Sequence, residues 1–137
     1  MNGLLMKATV LLSIVFIAGC ASTLISKSHT VCDNRNECIV VIMNKLSSNW
    51  FRPKSLANDQ EKLRDLEVVI FVKLNELYGI ERASIRQSSS NEKFDDSVIR
   101  AVALSAPFLE LSGLPMEEYN RSFKNLRLTF RPEDLIK

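Results

Sequence analysis

Residues 123–135 read F-K-N-L-R-L-T-F-R-P-E-D-L, and this stretch near the end of the chain decides the fold. The apolar residues Leu126, Leu128 and Phe130 alternate in it with the polar residues Arg127, Thr129 and Arg131. A period of two places the two sets on opposite faces of a β-strand. Pro132 lacks a backbone N–H and favours extended geometry at the residue before it, so the strand ends there. We therefore predict a strand over residues 125–131 that is buried on one face and lies at a sheet edge.

The whole chain has the composition of one small globular domain. It has 137 residues, of which 46% are hydrophobic and 25% are charged. The 18 basic and 16 acidic residues give a formal net charge of +2. A nucleic-acid surface needs clustered Lys and Arg with interleaved aromatic residues, and the sequence shows no such stripe. We therefore expect a single domain that does not bind nucleic acid.

Residues 1–19 have the features of an export signal. Lys7 supplies a positive charge, residues 10–17 are largely apolar, and Ala18 and Gly19 are the small residues that a signal peptidase needs before its cut. I-A-G-C at residues 17–20 resembles the bacterial lipobox, in which the cysteine is lipidated and becomes the mature N-terminus. The resemblance implies three acyl chains on Cys20, more than stable membrane anchoring requires.

The residues after Cys20 indicate where the protein is located. Ala21 and Ser22 follow without the aspartate that marks retention at the inner membrane in enteric bacteria, so we expect an outer-membrane lipoprotein facing the periplasm. An ordinary secretory signal and an uncleaved anchor stay open as alternatives. The expected domains are a signal peptide over residues 1–19, lipidated Cys20 with a flexible tether over residues 20–36, and a folded domain over residues 37–137.

Cys32 and Cys38 remain as an even pair once Cys20 is acylated. In an oxidising compartment such a pair favours a disulfide. A metal site is the alternative, but two thiolates with the lone His29 do not complete a tetrahedral ligand set. We predict the disulfide.

Two segments, residues 37–49 and residues 94–106, have the apolar spacing of helices that bury one face. The expected N-caps are Asp33, Asn34 or Asn36 for the first helix and Asp95 or Asp96 for the second. Residues 65–74 and 80–88 alternate as two strands of a hairpin, and Gly79 in the turn between them is free to adopt a positive φ.

The order of these elements predicts the topology. Residues 65–74 carry apolar bulk on both faces and belong in the centre of the sheet. A helix between the second and third strands is a crossover connection, and placing the third strand beside the first makes every pair antiparallel. The predicted fold class is α+β: a three-stranded antiparallel sheet in the order 2-1-3 with two main helices packed on one face.

Three stretches of this fold resemble a known family. They are W-F-R-P at residues 50–53, S-S-S-N-E-K-F-D-D-S-V-I-R-A-V at residues 88–102 and Y-N-R-S-F-K-N-L-R-L-T-F-R-P-E-D-L at residues 119–135. Together they resemble the C-terminal domain of TolA, a Tol-Pal protein, and the related TonB C-terminal domain. The resemblance covers residues 38–135 and implies a binding module. Its implied partners are TolB, Pal, colicin translocation segments and the minor coat protein of filamentous phages.

TolA-like domains bind partly by adding a partner strand to the sheet. Carried onto this chain, the resemblance points to the backbone from Leu126 through Leu128 to Phe130, with Arg127, Thr129 and Arg131 as side-chain contacts. The opposite interpretation is that charged side chains along an edge prevent pairing. TolA also has an inner-membrane helix and a very long helical segment, which this chain does not show. We therefore do not expect this chain by itself to transmit motion across the periplasm.

No motif indicates an enzyme. Residues 88–90 are serines close to Asp95 and Asp96, but His29 lies in the tether and no base or oxyanion arrangement is evident. We expect no catalytic site, metal, cofactor or small-molecule substrate. Three functions stay open: an envelope adaptor that binds a Tol-Pal component, a competitor of TolA-type interactions that gives colicin or phage tolerance, and a purely structural lipoprotein.

The cysteine pairing makes a chemical prediction. Titration of purified mature protein without reductant should find no reactive thiol from Cys32 or Cys38, because both sulfurs are in a disulfide. Closing so short a loop stabilises the fold by about 2 kcal/mol in the chain-entropy model. Two reactive thiols from these positions would contradict the pairing.

Overall fold

A computed structural model of the chain describes residues 30–136. The interpretations of the signal peptide, Cys20 and His29 lie outside the described residues. The elements in chain order are α1 Arg35–Ser48, α2 Gln60–Arg64, β1 Val68–Leu74, β2 Ile80–Gln87, α3 Glu92–Ser105, α4 Met116–Ser122, β3 Asn125–Phe130 and α5 Pro132–Leu135. Two 3₁₀ turns, Lys54–Leu56 and Leu109–Gly113, complete the order. No helix in this part of the chain has the length and apolar character needed to cross a membrane.

The sheet has the predicted topology. Its strand order is β2-β1-β3, and β1 pairs antiparallel with both neighbours. Pairing of Val68 with Phe130 and of Val72 with Leu126 places the apolar side chains of β1 and β3 on one face. That face packs against α1 and α3 in a single core. The residues that these two helices contribute to it are Cys38, Ile42 and Leu46 of α1 and Phe94, Val98, Ala101 and Val102 of α3. Burial of each large apolar side chain stabilises the fold by about 1.5 to 3 kcal/mol.

The N-terminus of α3 differs from the prediction. Asn91 is the cap, because its side-chain oxygen accepts a hydrogen bond from the Phe94 N–H at 3.0 Å. Asp95 lies inside the first turn and is 4% exposed. Its carboxylate accepts hydrogen bonds from the Ser88 hydroxyl, the Ser89 hydroxyl and the Ser89 N–H. Asp95 therefore fastens the loop after β2 to α3.

The hairpin turn also differs from the prediction. Tyr78, not Gly79, adopts the positive φ, at 62°. The Asn75 side chain accepts hydrogen bonds from the N–H groups of Leu77 and Gly79, at 2.9 Å and 3.0 Å. The Tyr78 ring packs edge-on against Tyr119 at 5.0 Å, and the Tyr119 hydroxyl donates to the Asn75 carbonyl at 2.6 Å. Burial raises the pKa of Tyr119, with a smaller contribution from Tyr78. Tertiary contacts thus hold a non-glycine residue in the left-handed region.

The folded domain begins before the predicted boundary at residue 37. A disulfide joins Cys32 and Cys38, both fully buried, and the Cys32 N–H donates to the Glu110 carbonyl at 3.0 Å. A Cβ on Gly113 would lie 2.4 Å from a Val31 methyl carbon and 2.5 Å from the Cys32 carbonyl oxygen. Glycine therefore permits the close approach of the two segments, and the end of the predicted tether packs on the domain. The disulfide in the purified protein stays a prediction for thiol titration.

Asp95 gives a stability prediction with an adjacent control. Replacing Asp95 with Ala should lower the free energy of unfolding by about 2 to 4 kcal/mol, because three hydrogen bonds to one buried carboxylate are lost. Asp96→Ala should cost less than about 1 kcal/mol, because Asp96 is exposed. Urea denaturation measures both. Equal losses in the two variants would contradict the fastening role of Asp95.

Candidate protein-binding edge

The predicted edge position of β3 is confirmed, since β3 pairs with β1 on one side and ends the sheet. The Leu74 N–H donates to the Lys124 carbonyl at 2.9 Å, and the register continues through β3 without a bulge. Backbone groups of successive residues in an antiparallel strand point to opposite sides. Those of residues 126, 128 and 130 therefore point to β1. Those of Asn125, Arg127 and Thr129 point outward, and we call these three residues the free edge.

The side chains of the predicted site divide between the two faces of the sheet. Leu126 and Phe130 are buried in the core, and Leu128 is half-buried. Arg127 and Thr129 are exposed on the face opposite the helices. A partner at the edge would therefore meet three polar side chains, those of Asn125, Arg127 and Thr129, on one face and part of Leu128 on the other.

Arg131 does not extend the strand, which the prediction made one residue too long. Its N–H donates to the Asp134 carboxylate at 3.1 Å, and its carbonyl accepts from the Asp134 N–H at 3.0 Å. These bonds form the N-terminal cap of α5, which has Pro132 in its first turn. The Arg131 guanidinium lies 2.8 Å from the Glu67 carboxylate, which raises the pKa of Arg131. The backbone of Arg131 is therefore occupied and closes the free edge.

Two features of the site were missed from the sequence. Asn125 lay within the predicted edge strand but was not among the predicted contact residues, and the register with β1 places it on the free edge. The second feature is the outer edge of β2, where the pairing of Val72 with Ala83 turns the backbone of Ala83 outward. Ile85 lies on the same edge and is 39% exposed. The described part of the sheet therefore has two free edges.

The described residues offer no alternative site of metal chemistry. Within residues 30–136, no group of three or more His, Cys, Asp or Glu side chains is placed to hold a metal ion. The hydroxyl groups of Ser88 and Ser89 both donate to the Asp95 carboxylate.

Comparison with known proteins places this fold in a family. The family model for the TonB C-terminal domain matches residues 38–130, which include all three strands and α3. The Tol-Pal system protein TolA of Pseudomonas aeruginosa is 30% identical over 95 residues, which are 69% of this chain and 26% of that protein. The chain therefore spans about a quarter of the length of this relative.

A solved structure supports the same assignment. It is the solution NMR structure of TolAIII bound to a peptide derived from the N-terminus of TolB, with 28% sequence identity and a TM-score of 0.54. The match covers 69% of this chain and 71% of that one. Since the family model spans well over half of the sequence, the chain belongs to the TonB C-terminal family, whose members include the C-terminal domain of TolA.

Proposed function

We propose that this chain is a protein-binding module of the bacterial envelope that accepts a partner strand at the free edge of β3. The observation that carries the proposal is the outward-facing backbone of Asn125, Arg127 and Thr129 on an otherwise complete fold. Three such residues present a row of donors and acceptors that matches a short extended peptide. A binding role also agrees with the family, whose C-terminal domains serve protein interaction.

The N-terminal segment of TolB is our first candidate for the partner. TolAIII, which shares the fold at 28% identity, was solved with a peptide from that segment. Pal, colicin segments and a filamentous phage coat protein are further candidates, from the resemblance to TolA alone. In this proposal the chain is an adaptor that contributes to envelope integrity through Tol-Pal-type contacts.

The geometry of β3 supports the proposal that the edge accepts a partner strand over the alternative that it excludes one. Edges are protected when a charge points inward, a bulge twists the strand or another element covers it. β3 has a regular register with β1, and its exposed Arg127 projects from the sheet face, so the arginine does not occupy the position of a partner backbone. Arg131 and Asp134 close the strand only at its end. The open length is therefore residues 125–129.

We also propose that Cys20 carries the lipid anchor of this module at the outer membrane. The support is the I-A-G-C sequence at residues 17–20. The 11 residues between Cys20 and Cys32 span at most about 35 to 40 Å when extended. A flexible coil of that length averages about 20 Å. The domain would thus bind its partner close to the membrane surface.

The edge proposal predicts where a TolB peptide binds. A peptide from the TolB N-terminus, titrated into the ¹⁵N-labelled full chain, should shift the amide resonances of residues 125–129 most strongly. These amides gain hydrogen bonds when a strand is added. Shifts confined to β2 would assign binding to the other edge, and an absence of shifts would refute a TolB-type partner.

Two proline variants separate the edges. Thr129→Pro removes an outward N–H without breaking the ladder to β1, and edge strands tolerate proline. It should weaken TolB-peptide binding by about tenfold or more, which is the loss of about 1.4 kcal/mol. Ala83→Pro makes the same change on the outer edge of β2 and should leave the affinity unchanged. Circular dichroism and urea denaturation check that both variants fold.

The anchor proposal predicts the behaviour of a single cysteine variant. The full chain should incorporate labelled palmitate in cells and fractionate with membranes, whereas Cys20→Ser should lose the label, because the thioether requires a thiol. A Cys32→Ser, Cys38→Ser double variant is the matched control and should retain it. An unlabelled wild-type chain would contradict lipidation.

A further inference from the structure

The sheet face opposite the helices, which we call the open face, gathers positive charge. The register places on it the cations Lys73, Arg82, Arg86, Arg127 and Arg131. Two carboxylates share this face, those of Glu67 and Glu81. The whole chain is nearly balanced, with 18 basic and 16 acidic residues. The cations are therefore a local feature of the open face and not a result of overall composition.

Most of these cations lack a carboxylate partner. Glu81 pairs with Lys73 at 2.9 Å and Glu67 pairs with Arg131 at 2.8 Å. Within residues 30–136, Arg82, Arg86 and Arg127 make no salt bridge under 4.0 Å to an acidic side chain. Arg86 instead lies over the Phe71 ring, with 5.1 Å between the guanidinium carbon and the ring centroid. Three guanidinium groups on one face are thus available to an acidic partner.

Arg127 belongs both to the positively charged open face and to the free edge of β3. Arg127 is paired across the sheet with Phe71, which is paired with Ser84, so the three residues form one row. A strand added at β3 would lie about 4.8 Å beyond Arg127. The residue opposite Arg127 would project onto the open face with its Cβ about 5 Å from that of Arg127. Its neighbours would project to the other face, beside half-buried Leu128.

We propose that the strand accepted by β3 alternates acidic and apolar residues, with the acidic residues opposite Arg127 and Thr129 and the apolar residues beside Leu128. The inference rests on the proposed function, because it assumes that the edge is used. It adds the chemistry of the partner, which the free backbone alone does not specify. Opposite charges in directly paired positions favour pairing of the two strands, and like charges in these positions oppose it.

Two designed ten-residue peptides test the charge selection. Both alternate valine or isoleucine with a charged residue; one carries glutamate at every charged position and the other carries lysine. Titrated into the ¹⁵N-labelled full chain at low ionic strength, the glutamate peptide should shift the amides of residues 125–129 and bind about 5- to 50-fold more tightly than the lysine peptide. Added salt should reduce this difference, because exposed charges are screened.

Reversing the charge of Arg127 tests whether this residue causes the preference for the glutamate peptide. Arg127→Glu should abolish or invert the preference between the two peptides. Arg100→Glu is the matched control, because Arg100 is exposed on α3 and its replacement makes the same change in net charge. That variant should keep the preference of the wild-type chain.

The outcomes separate the partner chemistry from the proposed function. Equal affinities for the two peptides, with shifts at residues 125–129, would overturn acidic selection while leaving edge binding intact. If the TolB-derived peptide shifts the amides of residues 125–129 and neither designed peptide does, acidic selection is again overturned and edge binding again stands. If no peptide shifts these amides, the proposed function fails as well. If anionic phosphatidylglycerol vesicles, but not the glutamate peptide, bind the chain and Arg127→Glu prevents it, the open face binds membrane and the inference is wrong.

Discussion

The pairing of β1 on both of its sides is the constraint on which the rest of the structure depends. β1 is the one described strand with a hydrogen-bonded neighbour on each side, and Val68, Ile70, Val72 and Leu74 are fully buried beneath the helices. Its backbone groups are satisfied by β2 and β3 in alternation. A sheet with only three strands leaves each outer strand half-paired. The edge that we propose for binding is thus a direct result of how small the sheet is.

The helical layer is held in place by contacts at the start of the domain. The Lys45 ammonium lies 2.8 Å from the Glu110 carboxylate and donates to the Pro107 carbonyl at 2.9 Å, which ties α1 to the 3₁₀ turn after α3. The backbone bond from Cys32 to Glu110 reaches the same turn. Glu110 is largely buried, so removing Lys45 would leave a poorly solvated charge without compensation from the ammonium. These contacts fix α1 without using the sheet edge, so binding at β3 need not disturb the core.

Much of the fold was predictable because its periodic patterns are strong. The alternation of side chains in β1 and β3 predicted which residues share a face of each strand. The apolar side chains on both faces of β1 predicted its central position in the sheet. The failures have local causes. Asp95 and Asn91 are both good cap residues by type, and only the hydrogen bond from the Phe94 N–H to the Asn91 side chain shows which one caps the helix. Tyr78, which has the positive φ, packs its ring against Tyr119, which is distant in sequence.

The sequence predicted which strand forms the site, but it did not predict which backbone N–H and C=O groups of that strand point away from β1. Alternation assigns side chains to faces, whereas the direction of an N–H depends on the register with β1, which no pattern within β3 contains. The end of β3 before Arg131 could have been predicted, since Pro132 followed by Asp134 is a signal for the start of a helix. Because the backbone N–H and C=O of Arg127 point away from β1, its side chain would lie beside any strand that pairs with β3. Two antiparallel copies of β3 centred on residue 127 would bring like charges together, whereas an acidic strand would neutralise that charge. The same arginine therefore opposes self-association and favours an oppositely charged partner, so protection of the edge and use of the edge are compatible.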